Sequence, residues 1–184
     1  MRKAFEYTRY PGAHLASGVT LYNNEWLQLK DKNGYIYSHE VRCNGSIVLV
    51  LPYRVMGDSC AFLVRDEVTP CWSDGPTRSA ITGGVESMDP GEDAVREVKE
   101  ESGYSILRSQ LEFLGKCRAS KSSDTYYFLY AVDVGELTPE EAEGDGSVND
   151  KAPSVWVTGQ ELCQLEDAQA ITAYCKACLK LGIS

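Results

Sequence analysis

The chain has 184 residues, of which 43% are hydrophobic and 24% are charged. This composition predicts one globular domain with a buried core and a small appendage, and it argues against a disordered chain. The formal net charge of -9 disfavours binding to extended nucleic acids, which are polyanions. A small phosphorylated ligand remains compatible with this charge if a divalent cation bridges it to carboxylates.

Membrane insertion and secretion are both disfavoured by the distribution of apolar residues. The longest apolar run, SIVLVLPY at residues 46–53, is too short to span a bilayer. The N-terminal residues MRKAFEYTRY contain no apolar signal-peptide region. We therefore expect a cytoplasmic protein.

Seven cysteines form an odd set scattered through apolar contexts. This pattern favours reduced thiols, mostly in the core, over a disulfide framework. Cys175 and Cys178 form a CxxC pair, but no second CxxC or CxxH completes a zinc site. Their spacing also fits the buried face of a helix, and we prefer that interpretation.

The first predicted elements lie in a polar-rich N-terminal region, residues 1–46. Strand candidates occur in GVTLYNNEWLQLKD and GYIYSHEVRC, separated by turn-forming residues. We interpret this region as a small separate antiparallel sheet, followed by one domain over residues 47–184. Both histidines, His14 and His39, fall in this region, which argues against a histidine-centred mechanism.

The rest of the chain alternates strand-like and helical patterns. Apolar and β-branched runs of strand length occur at residues 47–52, 60–64, 111–115, 125–132 and 154–157. Helical patterns cover residues 90–102 and 166–181, the second with an apolar stripe of Ile171, Tyr174, Cys175, Cys178 and Leu179. The segments TPCWSDGPTRSA and GELTPEEAEGDGSVND are rich in turn formers, which predicts surface loops. The order of elements predicts an α+β fold.

The helix at residues 90–102 has clear start and stop signals. Asp89 can act as N-cap, Pro90 as first helical residue, and Glu92 as the third residue of a capping box. Gly103 supplies the stop.

Three glutamates on this helix, Glu97, Glu100 and Glu101, have the spacing i, i+3 and i+4 and therefore project from one side. Their mutual repulsion suggests a compensating ligand, and Mg²⁺ prefers such carboxylate oxygens. The alternative is a solvated acidic helix face, which is the usual meaning of a charge run.

The surrounding residues decide between these interpretations. The segment REVKEESGY at residues 96–104, preceded by Gly83 and Gly84, resembles the Nudix box, which ends in Arg-Glu, an aliphatic residue, any residue, Glu-Glu, any residue, Gly and an apolar residue. The first half of the box departs from the consensus, because Gly84 and Arg96 are twelve positions apart instead of fourteen. Glu92 or Asp89 can replace the glutamate that the consensus has there.

The resemblance implies a Nudix-type α/β/α sandwich with a mixed sheet and a metal-dependent hydrolase. It implies that Glu97, Glu100 and Glu101, with the carbonyl of Gly83, hold Mg²⁺, or Mn²⁺ as a substitute, and that Arg96 orients a glutamate of the box. The general base in such enzymes comes from the box, here Glu100, or from a later acidic loop. Asp124 and the acidic residues 140–150 are the candidates outside the box.

The order of elements from residue 47 to residue 182 is similar to that of ADP-ribose and nucleoside-diphosphate-sugar pyrophosphatases. A proline that often marks ADP-ribose enzymes has no counterpart in GKCRASKSSD. The predicted substrate is therefore a nucleoside diphosphate linked to X, either ADP-ribose or a nucleotide sugar. The alternatives are a nucleoside-triphosphate or dinucleoside-polyphosphate hydrolase, or a Nudix-fold binding module that has lost turnover.

Substrate phosphates require cations, and Arg65, Arg118 and Lys121 are candidates because they lie near the box in sequence. We expect substrate choice to depend on the loops at residues 70–80 and 118–124, since the box handles groups common to all substrates. The aromatic-bearing N-terminal segment resembles the sheet that related pyrophosphatases pack against a partner subunit. A homodimer is expected on this ground.

Overall fold

A computed structural model of the protein describes residues 18–142, 144 and 152–183. The first three strands form a small antiparallel sheet and are β1 (Val19–Asn23), β2 (Leu27–Lys32) and β3 (Tyr35–Glu40). The larger sheet contains β4 (Ser46–Met56), β5 (Ser59–Val68), β6 (Pro76–Ser79), β7 (Ile81–Gly84), β8 (Glu112–Arg118), β9 (Tyr126–Asp133) and β10 (Ser154–Thr158). The helices are α1 (Pro90–Ser102), α2 (Gly159–Leu162) and α3 (Ala168–Leu181), with a 3-10 turn at Arg108–Gln110.

The larger sheet is mixed and is organised around β4. Its strand order is β10-β5-β4-β9-β8, with β6 paired to β5 and β7 paired to β4. Strands β4 and β9 are parallel, and the other pairs are antiparallel. Residues 47–50 of β4 pair with β7, whereas residues 53–56 pair with β5. Strand β5 therefore separates from β4 beyond their shared hairpin, and β7 takes its place.

Helices cover both faces of this sheet. Successive residues of a strand point to opposite faces, so one strand contributes side chains to both of these contacts. Leu49, Leu51 and Phe62 pack with Leu162 of α2 and the alanines of α3. On the other face, Val48, Val50, Leu63 and Tyr130 pack with Ala94 and Val98 of α1. The result is an α/β/α sandwich, and the predicted α+β class is confirmed.

The predicted strands and helices are all present, with somewhat different bounds, and the prediction for α1 matches its bounds. Strands β6 and β7 and helix α2 were not predicted. The loop prediction for TPCWSDGPTRSA was wrong at its end, where β6 pairs with residues 65–68 of β5. A four-residue segment that begins with proline has little sequence preference for a strand, so its strand conformation depends on pairing with β5. The second predicted loop has neither helix nor strand at residues 135–142 and 144, and its other residues lie outside the described part.

The apolar stripe predicted on α3 was correct at Ile171 and Tyr174, which pack against the core, and wrong at Cys175 and Leu179. The buried residues of this helix are Ala170, Ala173 and Ala177, whereas Leu179 is 89% exposed and Cys175 is exposed. Small side chains let the helix axis approach the sheet closely, and the face of α3 that packs on the sheet is therefore the one that carries alanines. The prediction of mostly buried cysteines was wrong, because only Cys43 and Cys60 are buried. All seven cysteines are free thiols.

The small sheet turns a polar face inward and an apolar face outward. Thr20, Gln28 and Lys30 are buried beneath it together with Tyr37. The exposed side carries Tyr22, Leu27, Leu29 and Ile36. The edge of this sheet at β3 contacts the loop before β9, where the backbone N–H of Ser38 donates to the carbonyl of Ser122. Among the helices of the described residues, none is long and apolar enough to cross a membrane.

Candidate functional site

Helix α1 carries the candidate site and is fixed at both ends. Asp89 is the N-cap and accepts a hydrogen bond from the backbone N–H of Gly91, with Pro90 as the first helical residue. Arg108 contacts the carboxylate of Asp89 at 3.0 Å. At the other end Gly103 has a positive φ of 75° and its N–H donates to the carbonyl of Lys99. The predicted N-cap, first helical residue and stop are confirmed, whereas the predicted capping box is not formed by Glu92 among the described residues.

Asp93 holds the shortened loop between β7 and α1. Its carboxylate is buried and accepts hydrogen bonds from the backbone N–H of Ser87 at 3.1 Å and from the Ser87 hydroxyl at 2.8 Å. Asp89 and Glu92 were expected to replace the missing glutamate of the box. Neither side chain supports this loop as Asp93 does, since Asp89 caps the helix and Glu92 is exposed. The signal for Asp93 was its place one turn before Glu97 on the same helix.

Glu97 lies against the backbone of β7 at Gly83. A Cβ atom added to Gly83 would lie 1.9 Å from the carboxyl carbon of Glu97, so any side chain there would displace the carboxylate. Arg96 contacts Glu97 at 2.7 Å and Glu100 at 2.8 Å through separate nitrogens. Its guanidinium therefore joins two of the three glutamates through charge-assisted hydrogen bonds.

Glu101 is held by a buried arginine on β5. The guanidinium of Arg65 contacts the Glu101 carboxylate at 2.8 Å and the Glu67 carboxylate at 3.0 Å. Burial raises the pKa of Glu101 to about 8, with Glu67 and Glu97 acting in the same direction and Arg65 opposing them. The second oxygen of Glu101 is buried and has no hydrogen-bond partner among the described residues.

Arg65 was expected to bind substrate, and the structure corrects this expectation. The residue is only 2% exposed, and its guanidinium is directed at Glu67 and Glu101. Glu67 was missed in the sequence, although strand alternation from Leu63 places residues 65 and 67 on the face covered by α1.

The other candidates lie against the small sheet. The carboxylate of Asp124 contacts Nδ1 of His39 at 3.0 Å. Arg118 donates to the carbonyl of Asp124 and lies over the ring of Tyr126. Lys121 is exposed in the same loop. The structure therefore brings Asp124, Arg118 and Lys121 together with one another, and their recorded contacts are with the N-terminal sheet and β9 instead of α1.

The acidic loop after β9 returns to the C-terminal end of α1. The backbone N–H of Glu140 donates to the carbonyl of Gly103, and that of Gly144 donates to the carbonyl of Glu100. The first part of the acidic segment is thus bound beside the helix that carries the glutamates. Residues 143 and 145–150 of this candidate lie outside the described part.

The fit to a divalent cation is partial. Within residues 18–142, 144 and 152–183, no three His, Cys, Asp or Glu side chains converge on one point as a metal site requires. Arg96 is shared by the carboxylates of Glu97 and Glu100, and Arg65 is shared by those of Glu67 and Glu101, so each pair of glutamates faces one cation. The donor atoms nevertheless suit Mg²⁺, because they are carboxylate oxygens and one of them, on Glu101, is buried without a partner.

The structure resembles solved structures of known proteins. An ADP compounds hydrolase superposes with a TM-score of 0.67 at 20% identity, over 89% of this chain and 90% of that chain. The chain has the Nudix fold. A protein assigned as a NUDIX hydrolase from Listeria monocytogenes matches this Nudix fold with a TM-score of 0.53 at 19% identity, over 74% of this chain and 93% of that chain. Neither a protein-family model nor a curated protein sequence matches the chain.

Proposed function

We propose that this protein is a metal-dependent pyrophosphohydrolase that cleaves the diphosphate linkage of a nucleoside diphosphate linked to X. ADP-ribose or a nucleotide sugar is the proposed substrate, and the fold shared with an ADP compounds hydrolase supports this choice. The observation that carries the proposal is the placement of Glu97 against Gly83, with Glu100 and Glu101 on the same side of α1. Only glycine leaves room for that carboxylate.

The residues proposed to hold Mg²⁺, or Mn²⁺ in its place, are Glu97, Glu100, Glu101 and the backbone carbonyl of Gly83. When bound, such an ion polarises a phosphoryl group and lowers the pKa of an attacking water. Arg96 then orients the carboxylates that it already contacts. Arg65, on the strand beneath α1, β5, keeps the carboxylate of Glu101 in place through their ion pair.

The proton from the attacking water requires a base, and Glu100 is the proposed acceptor within the box. Its side chain is more exposed than that of Glu97, 22% against 7%, so water can reach it. Asp124 remains the proposed alternative outside the box. Its pairing with His39 means that it would have to exchange this partner for water.

A binding module without turnover is the second candidate. It is favoured by the pairing of all three glutamates with arginines, which leaves the described residues without a converged metal site. A nucleoside-triphosphate or dinucleoside-polyphosphate hydrolase is the alternative within enzymes. The proposed cellular location is the cytoplasm.

We also propose a homodimer formed through residues 1–46. The exposed face of the small sheet supports it, because Tyr22, Leu27, Leu29 and Ile36 present apolar surface to solvent. A three-stranded sheet whose apolar face is uncovered gains stability when a second copy covers it. The first 17 residues of this region lie outside the described part.

The decisive experiment is a panel of nucleoside diphosphate compounds, triphosphates and dinucleoside polyphosphates incubated with Mg²⁺, Mn²⁺ or EDTA. We expect metal-dependent release of a nucleoside monophosphate and a phosphorylated X. Hydrolysis confined to triphosphates would favour the enzymatic alternative. Binding of nucleotides without any product would favour the binding module.

A further inference from the structure

A cavity of about 210 Å³ lies between the inner face of the small sheet and the loop before β9. The sheet contributes Lys32, Tyr35 and Tyr37, and the loop side contributes Arg118, Lys121 and Ser123, with Asp124 completing the wall. Of the described residues that line it, none belongs to α1, β5 or β7. The cavity is therefore built from different elements than the glutamate site.

The cavity wall is positively charged, although the whole chain has a net charge of -9. Lys32, Arg118 and Lys121 are cations, and Lys30 lies two residues from Lys32 on the same face of β2. Asp124 is the single acidic residue among the described lining residues, and its carboxylate is already in contact with His39. The local charge is thus opposite to that of the protein.

Two of these cations have no described partner. The ammonium groups of Lys32 and Lys121 make no hydrogen bond or ion pair with any residue in the described ranges, whereas the guanidinium of Arg118 is occupied by the carbonyl of Asp124 and the ring of Tyr126. The phenol of Tyr35 donates to the carbonyl of Lys121 at 2.6 Å and so fixes the lysine backbone to the sheet. The ammonium groups remain available to a ligand at a fixed opening.

We propose that this cavity binds an anion of the phosphate class, either a free phosphate ion or the phosphate of a phosphorylated sugar. A phosphate dianion accepts hydrogen bonds from ammonium, guanidinium and hydroxyl groups, which are the donors present in this cavity. The volume lies below the roughly 300–1,000 Å³ typical of sites for drug-sized ligands, so a small anionic group fits better than a whole nucleotide. The inference goes beyond the proposed hydrolysis, and anion binding in the cavity can be measured without turnover.

The test is calorimetric titration of the protein with inorganic phosphate and, separately, with ribose 5-phosphate. EDTA is present throughout, so that no divalent cation can carry phosphate to the glutamates of α1. We expect at least one of these anions to bind at a single site. The stronger ligand identifies the source of the phosphate group.

The informative variant is the double exchange Lys32→Ala with Lys121→Ala. Both lysines are exposed, so the fold should persist, which a melting curve checks. Loss of two charged donors should weaken binding by about tenfold or more. The matched control, Lys176→Ala with Lys180→Ala on α3, removes the same charge elsewhere and should bind as the wild type does.

Absence of binding to both anions would overturn the proposal, as would equal weakening in the control. If the double variant does not fold, Lys121→Glu replaces it, since this change reverses one charge in an exposed loop. Unchanged phosphate affinity in Lys121→Glu would also overturn the proposal. Because no metal is present, a negative result for hydrolysis leaves this outcome unaffected.

Discussion

The carboxylate of Glu101 lies 2.8 Å from the guanidinium of Arg65, and the two side chains are only 14% and 3% exposed. Arg65 also contacts Glu67, so one buried cation is shared by two carboxylates. Such an arrangement is electrostatically incomplete, because two negative charges face one positive charge in a region with little water. A proton or a metal ion at Glu101 would balance it.

This arrangement predicts a pH-dependent stability of the metal-free protein. Burial raises the pKa of Glu101 from 4.5 to about 8. The folded state therefore binds this proton more tightly than the unfolded state does. The resulting stability is fully present below about pH 4.5 and is lost as the pH rises through about 8.

Denaturation of the metal-free protein between pH 5 and pH 9 should show this loss, on the order of a few kcal/mol. Glu101→Gln is neutral at every pH and should remove most of the slope. Glu92→Gln changes an exposed residue and should keep it. Parallel curves for the wild type and Glu101→Gln would contradict the assignment.

Removal of a proposed metal ligand should abolish turnover without harming the fold. Glu101→Gln should lower Mg²⁺-dependent hydrolysis by about 100-fold or more, because a bound metal is worth several kcal/mol in the transition state. Glu97→Gln should behave similarly. Mg²⁺ should raise the melting temperature of the wild type by mass action and should do so less in these variants.

The control for that series is Glu92→Gln, since Glu92 is exposed on the first turn of α1. Its activity should remain close to that of the wild type. Full activity in Glu101→Gln would instead support a solvated acidic face on α1. Kinetic assays at saturating substrate, with matched melting curves, distinguish these outcomes.

Gly83→Ala tests the contact between β7 and α1. The added methyl group would overlap the carboxylate of Glu97, which is the end of a flexible side chain and can move away. We expect a large loss of activity with a small loss of stability. Gly75→Ala serves as control, because the nearest atom to its added Cβ is 4.0 Å away. A variant with normal activity would show that the position of Glu97 is unimportant.

The dimer proposal predicts a response to charge on the outer face of the small sheet. Leu29→Glu places a carboxylate among exposed apolar residues and should convert the dimer to a monomer in light scattering. Leu179→Glu changes an equally apolar residue, 89% exposed on α3, and should leave the dimer intact. A wild-type monomer at micromolar concentration would refute the proposal.

Substrate choice is predicted to respond to the loop at residues 118–124. Lys121→Ala should change the ratio of kcat/KM between ADP-ribose and nucleotide sugars by a few fold, because the box contacts only groups that all substrates share. Arg118→Ala should do the same, although its stacking on Tyr126 also contributes to packing. Equal losses on every substrate would place the determinants elsewhere, with the loop at residues 70–80 as the next region to exchange.

Local sequence determined the helix that carries the glutamates. Asp89, Pro90 and Gly103 define its ends through hydrogen bonds and backbone geometry within a few residues, and the predicted bounds matched. The spacing of Glu97, Glu100 and Glu101 likewise follows from the helical repeat alone. The strands of the core were predictable because a strand in a sheet that is covered on both faces has apolar side chains on both sides. Such a strand gives a continuous apolar run in the sequence, as in IVLVLP.

Only the tertiary structure decided which groups neutralise these glutamates. Arg65 and Glu67 come from β5, more than thirty residues from Glu101 in the chain, and only the packing of α1 on the sheet brings them together. The burial that shifts the pKa of Glu101 is a property of that packing. In the same way, the face of α3 that packs on the sheet depends on how closely the alanines allow it to approach, which helical periodicity does not specify.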